Sequence, residues 1–412
     1  MAITTTYSTQ TLVSEFQVNT WTSNNQLLPD SVGLDNGGWV TAYNNDGNFV
    51  LLNFYDADGV AVGGFDIPYS GGTSGAGQPS ITKLANGNVL VIWDENEAGN
   101  EGLSGRIFSQ DGVALGNELK FTGNSISFED PDVAALSDGG YVISFTFGGN
   151  VFFGRYNSSG GQIGGFTQVN TAATTGTQND ASIAVLADGG WVVTYTDTDP
   201  ANQPVRAVVY NADGTVRAAD FLIDGIGDNT QSVVQALSDG RFAVVYTDSG
   251  WAEGGTLGNG ITLQLFNANG STATGWIHVN TPATNDEREP DITVLDNGFI
   301  VVSWTRPFAG TDDDIYGAIY DQNGNLVMSQ FSIAGSSDTD IRSAVAGLLN
   351  GEFVTTWQDS QTDGSGGRIS GTVRALVRTT TGDGANDTIN VDSLRDIVNA
   401  GDGDDTIMGG GI

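Results

Sequence analysis

Leu186-Ala187-Asp188-Gly189-Gly190-Trp191-Val192-Val193-Thr194-Tyr195 reads as a turn running into an apolar strand that begins and ends on an aromatic residue. The same order of residue types starts at Leu34, Leu84, Leu136, Leu237, Leu295 and Leu348, which makes seven copies at spacings of 50, 52, 50, 51, 58 and 53 residues. Each opening leucine is followed three positions later by glycine: Gly37, Gly87, Gly139, Gly189, Gly240, Gly298 and Gly351. A period of about fifty residues holds four short strands and their turns, and is far too long for one rung of a β-helix.

The fourth copy shows the expected unit. Residues 182–186 form a first strand, and Asp188-Gly189 reads as a two-residue hairpin whose two central residues both take positive φ. Residues 191–195, 205–210 and 218–223 supply the other three strands, with a second turn at Asp213-Gly214. Equivalent second turns occur at Asp58-Gly59, Asp111-Gly112, Ser159-Gly160, Asn269-Gly270 and Asn323-Gly324. The seventh copy has none; its third strand, about 368–377, leads into a different kind of sequence. The missing strand is expected at the N-terminus, where Phe16-Gln17-Val18-Asn19-Thr20 echoes Phe166-Thr167-Gln168-Val169-Asn170-Thr171 and Trp276-Ile277-His278-Val279-Asn280-Thr281. The predicted fold is therefore all-β: a seven-bladed β-propeller of four-stranded blades over residues 1–377, closed by the N-terminal strand so that no open edge remains.

The second strands end on Tyr43, Trp93, Phe145, Tyr195, Tyr246, Trp304 and Trp357, preceded four residues earlier by Trp39, Val89, Tyr141, Trp191, Phe242, Ile300 and Phe353. A period of two puts both positions on one face of each strand. Such regularity predicts core between blades rather than a sugar-stacking surface.

Composition narrows the chemistry. The 412 residues carry 14 Lys and Arg against 49 Asp and Glu, a net charge of -35, which argues against nucleic acid or another polyphosphate and suits cations. There is no cysteine, so disulfides, thiolate metal sites and thiol nucleophiles are excluded. The opening residues lack the basic and apolar regions of a cleavable secretion signal, and no apolar run approaches the roughly 18 residues of a helical membrane span. His278 is the single histidine and is expected to be an ordinary strand residue, which leaves a Ser-His-Asp arrangement one candidate base.

Two groups of carboxylates stand out. If the short turns share one face, the longer loops share the other, and Asp94, Glu95, Asp197, Asp248, Trp251, Asp312, Asp313 and Asp359 fall there as candidate ligand-binding residues, while Asp94/Glu95/Glu97 and Asp312/Asp313/Asp314 are carboxylate groups of the kind a glycosidase needs. Asp30, Asp130, Asp132, Asp180, Glu289 and Asp291 lie where first strands begin, near the predicted central channel. They could hold a cation there or bond nearby backbone amides, and the backbone role is the expected one.

The C-terminal segment 378–412 contains Gly382-Asp383-Gly384-Ala385-Asn386-Asp387-Thr388-Ile389 and Gly401-Asp402-Gly403-Asp404-Asp405-Thr406-Ile407. These stretches resemble the glycine- and aspartate-rich nonapeptide repeats of the RTX family, with Ala385 in place of one glycine and a poor fit over 394–400. The resemblance implies the start of a parallel β-roll that binds calcium through Asp383, Asp387, Asp402, Asp404, Asp405 and the turns at Gly382, Gly384, Gly401 and Gly403. It also implies type I secretion through a C-terminal signal and a location outside the cell or on its surface. Gly409-Gly410-Gly411 reads as the opening of a further repeat.

The leading expectation is a secreted, calcium-associated binding or adhesion module that meets an extracellular glycan or surface protein with its long-loop face. A polysaccharide hydrolase or lyase using loop carboxylates is the alternative, and it requires a deep polar central cleft with two convergent acids of separated pKa. A purely structural surface-layer or spacer role is the third.

Overall fold

The computed structural model describes the chain apart from residues 1–2, 47–48, 68–75, 96–101, 124–127, 173–174, 199–203, 226, 228, 250–257, 281–285, 309–311, 336, 365, 384–386, 392–394 and 410–412. Strand follows strand, and among the described residues there is no helix. Consequently none of them forms a helix long and apolar enough to cross a membrane.

Seven sheets of antiparallel blade strands stand around one axis, six of them of four strands in sequential order and the seventh taking its outer strand from the N-terminus. The innermost strands are Gln26–Gly33, Ala76–Lys83, Phe128–Ala135, Gln178–Val185, Thr230–Ala236, Arg288–Val294 and Asp340–Gly347. Each packs against the next, and Gln26–Gly33 also packs against Asp340–Gly347, so the ring is closed at seven. Antiparallel order places the first-to-second and third-to-fourth turns on one face. The longer loops and the starts of the inner strands lie on the other.

The closure is the one expected from the orphan N-terminal segment. Thr4–Gln17 pairs antiparallel with Gly367–Thr381, from Thr4 opposite Thr381 to Gln17 opposite Ser370, and so becomes the outer strand of blade 7. The sequence echo has a physical basis. Asn19, Asn170 and Asn280 are all buried, and their Oδ1 atoms accept from Ile369 N at 2.9 Å, Val151 N at 3.0 Å and Ile261 N at 2.7 Å. Each asparagine thus satisfies the amide of a third strand where the fourth strand leaves it.

The tight turns differ from the expected two-residue type. In blade 4, Gly189 N donates to Leu186 O at 2.9 Å and Leu186 N donates to Gly190 O at 2.7 Å, which makes a three-residue loop. Only Gly189 has positive φ, at 83°, while Asp188 Oδ1 accepts from Gly190 N at 3.0 Å. The aspartate is there for its side-chain bond two residues on, and the glycine forms the bulge that restores strand twist.

The aromatic second strands are core, as expected. Trp39, Trp191, Trp304 and Trp357 are fully buried, and each of the main apolar clusters joins neighbouring blades. The cluster spanning the closure holds Val18 and Trp39 with Leu348, Ile369 and Val373, so the N-terminal segment contributes to the core as well as to the sheet.

Gly367–Thr381 runs through residue 377 into the C-terminal segment. Its last residues pair in parallel with Arg395–Asn399, Val377 opposite Arg395, while Thr388–Val391 pairs in parallel with Thr406–Gly409, Thr388 opposite Thr406. Both registers are offset by 18 residues, so the tail winds as a coil with two strands per turn, and one of its sheets continues blade 7. Ion pairs from Arg395 to Glu352 and from Arg378 to Asp396 fasten it.

Removing residues 4–17 leaves a row of unpaired backbone groups on Gly367–Thr381 and opens the closing core cluster. The expected result is loss of the single sharp melting transition in calorimetry; a deletion variant that melts like the parent contradicts this account. Trp191→Ala, which empties a fully buried site between blades, should cost about 3–5 kcal/mol in chemical denaturation.

Candidate functional site

Every inner strand is interrupted by one irregularity in register, between Leu27 and Asp30 in blade 1, Ala76 and Pro79 in blade 2, Glu129 and Asp132 in blade 3, and at the matching place in the other four. At this bulge Leu28, Asp130, Asp180, Gln231, Glu289 and Arg342 take φ of 54°, 49°, 51°, 56°, 55° and 54°. A left-handed backbone costs a residue bearing a Cβ roughly 1–2 kcal/mol, so its recurrence in six blades marks a position the ring geometry demands.

The bulges line a cavity of about 520 Å³ on the propeller axis, reached from the long-loop face. Its mouth is formed by Leu28, Gln78, Asp130, Asp180, Gln231, Glu289 and Arg342, and two residues deeper lie Asp30, Ser80, Asp132, Ser182, Val233, Asp291 and Ala344. Pro29, Pro79, Pro131 and Pro290 stand between the tiers.

The carboxylates do bond backbone amides, but chiefly amides of the next blade. In the deep tier Asp30 Oδ2 accepts from Ile81 N at 2.9 Å, Asp132 Oδ2 from Ile183 N at 2.7 Å, and Asp291 Oδ2 from Val345 N at 2.7 Å. Ser182 Oγ accepts from Val234 N at 3.2 Å, and Ser80 Oγ donates to Asp132 Oδ1 at 2.9 Å. The mouth tier repeats the scheme: Asp130 accepts from Asp180 N, Asp180 from Gln231 N, Gln231 Oε1 from Glu289 N, and Glu289 Oε1 from Arg342 Nε, at 3.0–3.2 Å.

This arrangement raises the acids' pKa. Burial, then the charges of Asp291 and Asp132, push Asp30 up to about 8. Burial is also the main cause at Asp291, raised to about 7, at Asp130, raised to about 6, and at Asp132 and Asp180, which are raised as well. The cavity therefore holds a carboxyl, Asp30, that keeps its proton at neutral pH beside one, Asp130, that releases its own. Among the described residues no three acid or imidazole groups converge closely enough to cage a metal ion.

The long-loop carboxylates do not all form one site, although Asp359 and Asp314 lie close enough to Asp340 to help burial raise it to about 8. They sit in different blades and are largely engaged across neighbouring strands: Glu95 by Lys120 Nζ at 2.8 and 2.9 Å, Asp197 by Gln178 Nε2 at 3.0 Å, Asp248 by Thr262 Oγ1 at 2.8 Å. Asp313 accepts from Arg288 Nη2 at 2.8 Å, and Asp359 from Arg368 Nε at 2.8 Å and Ser370 Oγ at 2.7 Å. Asp94 is buried, and Asp312 closes a turn by accepting from Phe308 N at 2.7 Å through its carbonyl. Glu97 and Trp251 lie outside the described residues. His278 sits in the short strand Ile277–His278, opposite Thr262.

In the C-terminal coil, Asp387 Oδ2 accepts from Asp383 N and Asp405 Oδ1 from Asp387 N, both at 2.8 Å. The first bond is local and the second ties successive turns together, and the described carboxylates, Asp402 and Asp404 included, do not by themselves make a calcium cage; Gly384 lies outside the described residues. Gly382 and Gly401 let turns stack closely: a Cβ on Gly382 would fall 2.2 Å from Ala400 O, and Gly401, like Gly403, has positive φ.

Sequence reasoning missed Gln78, Gln231 and Arg342 at the mouth. The signal lies in the repeat, because they occupy the position of Asp130, Asp180 and Glu289, but a pattern of carboxylates does not include them.

No protein-family model and no curated protein matches the chain. Solved structures do match in shape. A protein of unknown function from Dyadobacter fermentans aligns at a TM-score of 0.53 and 11% identity over 89% of this chain and 99% of its own. The polysaccharide lyase Uly1 aligns at 0.52 and 10% identity, over 84% and 90%. A mutant of the NanB sialidase from Streptococcus pneumoniae aligns at 0.53 and 13% identity, over 78% and 69%. At such identity the likeness establishes the fold alone.

Asp30 and Asp291 hold protons in the folded chain that the unfolded chain gives up near pH 4, so between about pH 4 and pH 8 the folded state binds more protons. Their contribution to stability therefore falls as pH rises through that window. In melts at about pH 5 and pH 8.5, the double variant Asp30→Asn/Asp291→Asn should lose less Tm on going to the higher pH than the parent does; an equal or larger loss contradicts the assignment.

Proposed function

We propose that the propeller binds a saccharide in the axial cavity and hydrolyses it by acid–base catalysis. The observation that carries this reading is the pair of differently tuned carboxyls in one polar cavity: Asp30, raised to about 8, retains the proton a general acid must deliver, and Asp130, near 6, is ionised and serves as base. The prolines between the tiers offer apolar patches for sugar C–H faces. That structural neighbours bear the names polysaccharide lyase and sialidase adds support. Hydrolysis fits better than elimination, because elimination needs a uronate whose negative charge this wall repels, its one guanidinium, Arg342, being already paired with Glu289. The adhesion reading has less behind it, since its long-loop carboxylates serve mainly cross-strand bonds.

The test is release of reducing ends from arabinan, galactan, xylan and chitosan. Activity should follow a bell-shaped pH profile between about 6 and 8, and Asp30→Asn should lower kcat about 10²- to 10⁴-fold with the melting transition preserved. Turnover of none of the four polymers removes the hydrolase reading.

For the tail, the 18-residue offset of both parallel pairs supports a second reading, a calcium-dependent β-roll of the RTX kind in a secreted protein. Calcium would have to draw Asp387 and Asp405 away from the backbone amides they now accept from. Calorimetric titration with calcium should then show binding that Asp387→Asn weakens; absence of heat and of any shift in Tm counts against it.

A further inference from the structure

We propose that the saccharide taken by the axial cavity carries a protonated primary amine. This rests on the reading of the cavity as a saccharide site and specifies its substrate class. The lining holds six carboxyl groups, Asp30, Asp130, Asp132, Asp180, Glu289 and Asp291, against the single cation Arg342, whose Nε already donates to Glu289 at 3.1 Å. Donors are correspondingly scarce. The hydroxyls of Ser80 and Ser182 are both committed to Asp132, so the neutral donors left on the wall are chiefly the amides of Gln78 and Gln231 and the carboxyls of Asp30 and Asp291 while they hold their protons. An ammonium group offers three donors and no acceptor, which complements a wall dominated by carboxyl oxygens; a hydroxyl needs both kinds of partner.

Two further observations separate this ligand from a bare metal ion. Among the described residues no three of the carboxylates approach closely enough to coordinate one ion, because five are drawn toward the next blade by a backbone amide and Glu289 by the Nε of Arg342. A cavity of about 520 Å³ is instead of the size that holds a small organic molecule. The mutual repulsion of Asp30, Asp132 and Asp291 also gives a positive group something to relieve, so its arrival should expel protons from the deep tier.

The experiment is isothermal titration calorimetry with the β-1,4-linked glucosamine trimer and with its N-acetylated counterpart, at about pH 6 in two buffers of different ionisation enthalpy. The glucosamine trimer should bind at least about tenfold more tightly, and its apparent enthalpy should shift between buffers in the sense of proton release. The mouth variant Asp130→Asn/Asp180→Asn, checked for an intact melting transition, should lose most of that preference; if it does not fold, the amine-to-acetyl comparison on the parent decides alone. Equal or tighter binding of the N-acetylated trimer, binding of neither, or an unchanged preference in a folded mouth variant overturns the proposal. Reducing-end release is followed in parallel: binding of the amine trimer without cleavage keeps this inference and removes the hydrolase reading, whereas cleavage of neutral polymers without amine preference does the reverse.

Discussion

The antiparallel pairing of Thr4–Gln17 with Gly367–Thr381 converts a row of seven sheets into a ring. Without it the last blade would end on an exposed strand edge, and the core cluster between blades 7 and 1 would lose Val18 and Phe16. Because no blade buries its faces alone, the loss would be felt by every neighbour in turn. The inner strands can then be held at the spacing that their bulges and blade-to-blade bonds require.

Those bonds place structure and chemistry in the same side chains. Asp30, Asp132 and Asp291 accept amides from the following blade and also face the axial cavity, so their burial both stitches the ring and raises their pKa. A carboxylate taken out of water without a countercharge is costly, and the backbone amides offset part of that cost. The remaining tension makes the cavity hospitable to a proton or to a positively charged group. Burial raises acids outside the cavity too, Asp340 to about 8 and Glu287 to about 7, so what sets the axial acids apart is that they share one cavity.

The C-terminal coil depends on the same strand. Gly367–Thr381 receives Thr4–Gln17 along one edge and, past the blade proper, Arg395–Asn399 along the other. The coil is thus templated by the closed propeller, and its 18-residue repeat begins on a blade strand instead of across a linker.

Much of the architecture was legible in the chain because it rests on short-range patterns. The repeated Leu-x-x-Gly turns, the alternation from Trp191 to Tyr195 and the echo of Gln17-Val18-Asn19 in Gln168-Val169-Asn170 each reflect a local hydrogen bond or a strand period, and together they determined seven blades and their closure. The turn type escaped, since Asp-Gly suits both a two-residue hairpin and a three-residue loop, and only the strand register separates them. The repeat already placed Asp30, Asp130, Asp132, Asp180, Glu289 and Asp291 near the channel, but their bonding and charge were decided by tertiary structure. Its bonds join residues about one repeat apart, such as Asp30 with Ile81 and Asp132 with Ile183, and a carboxylate's pKa follows from the desolvation and neighbouring charges that appear only when the ring has closed.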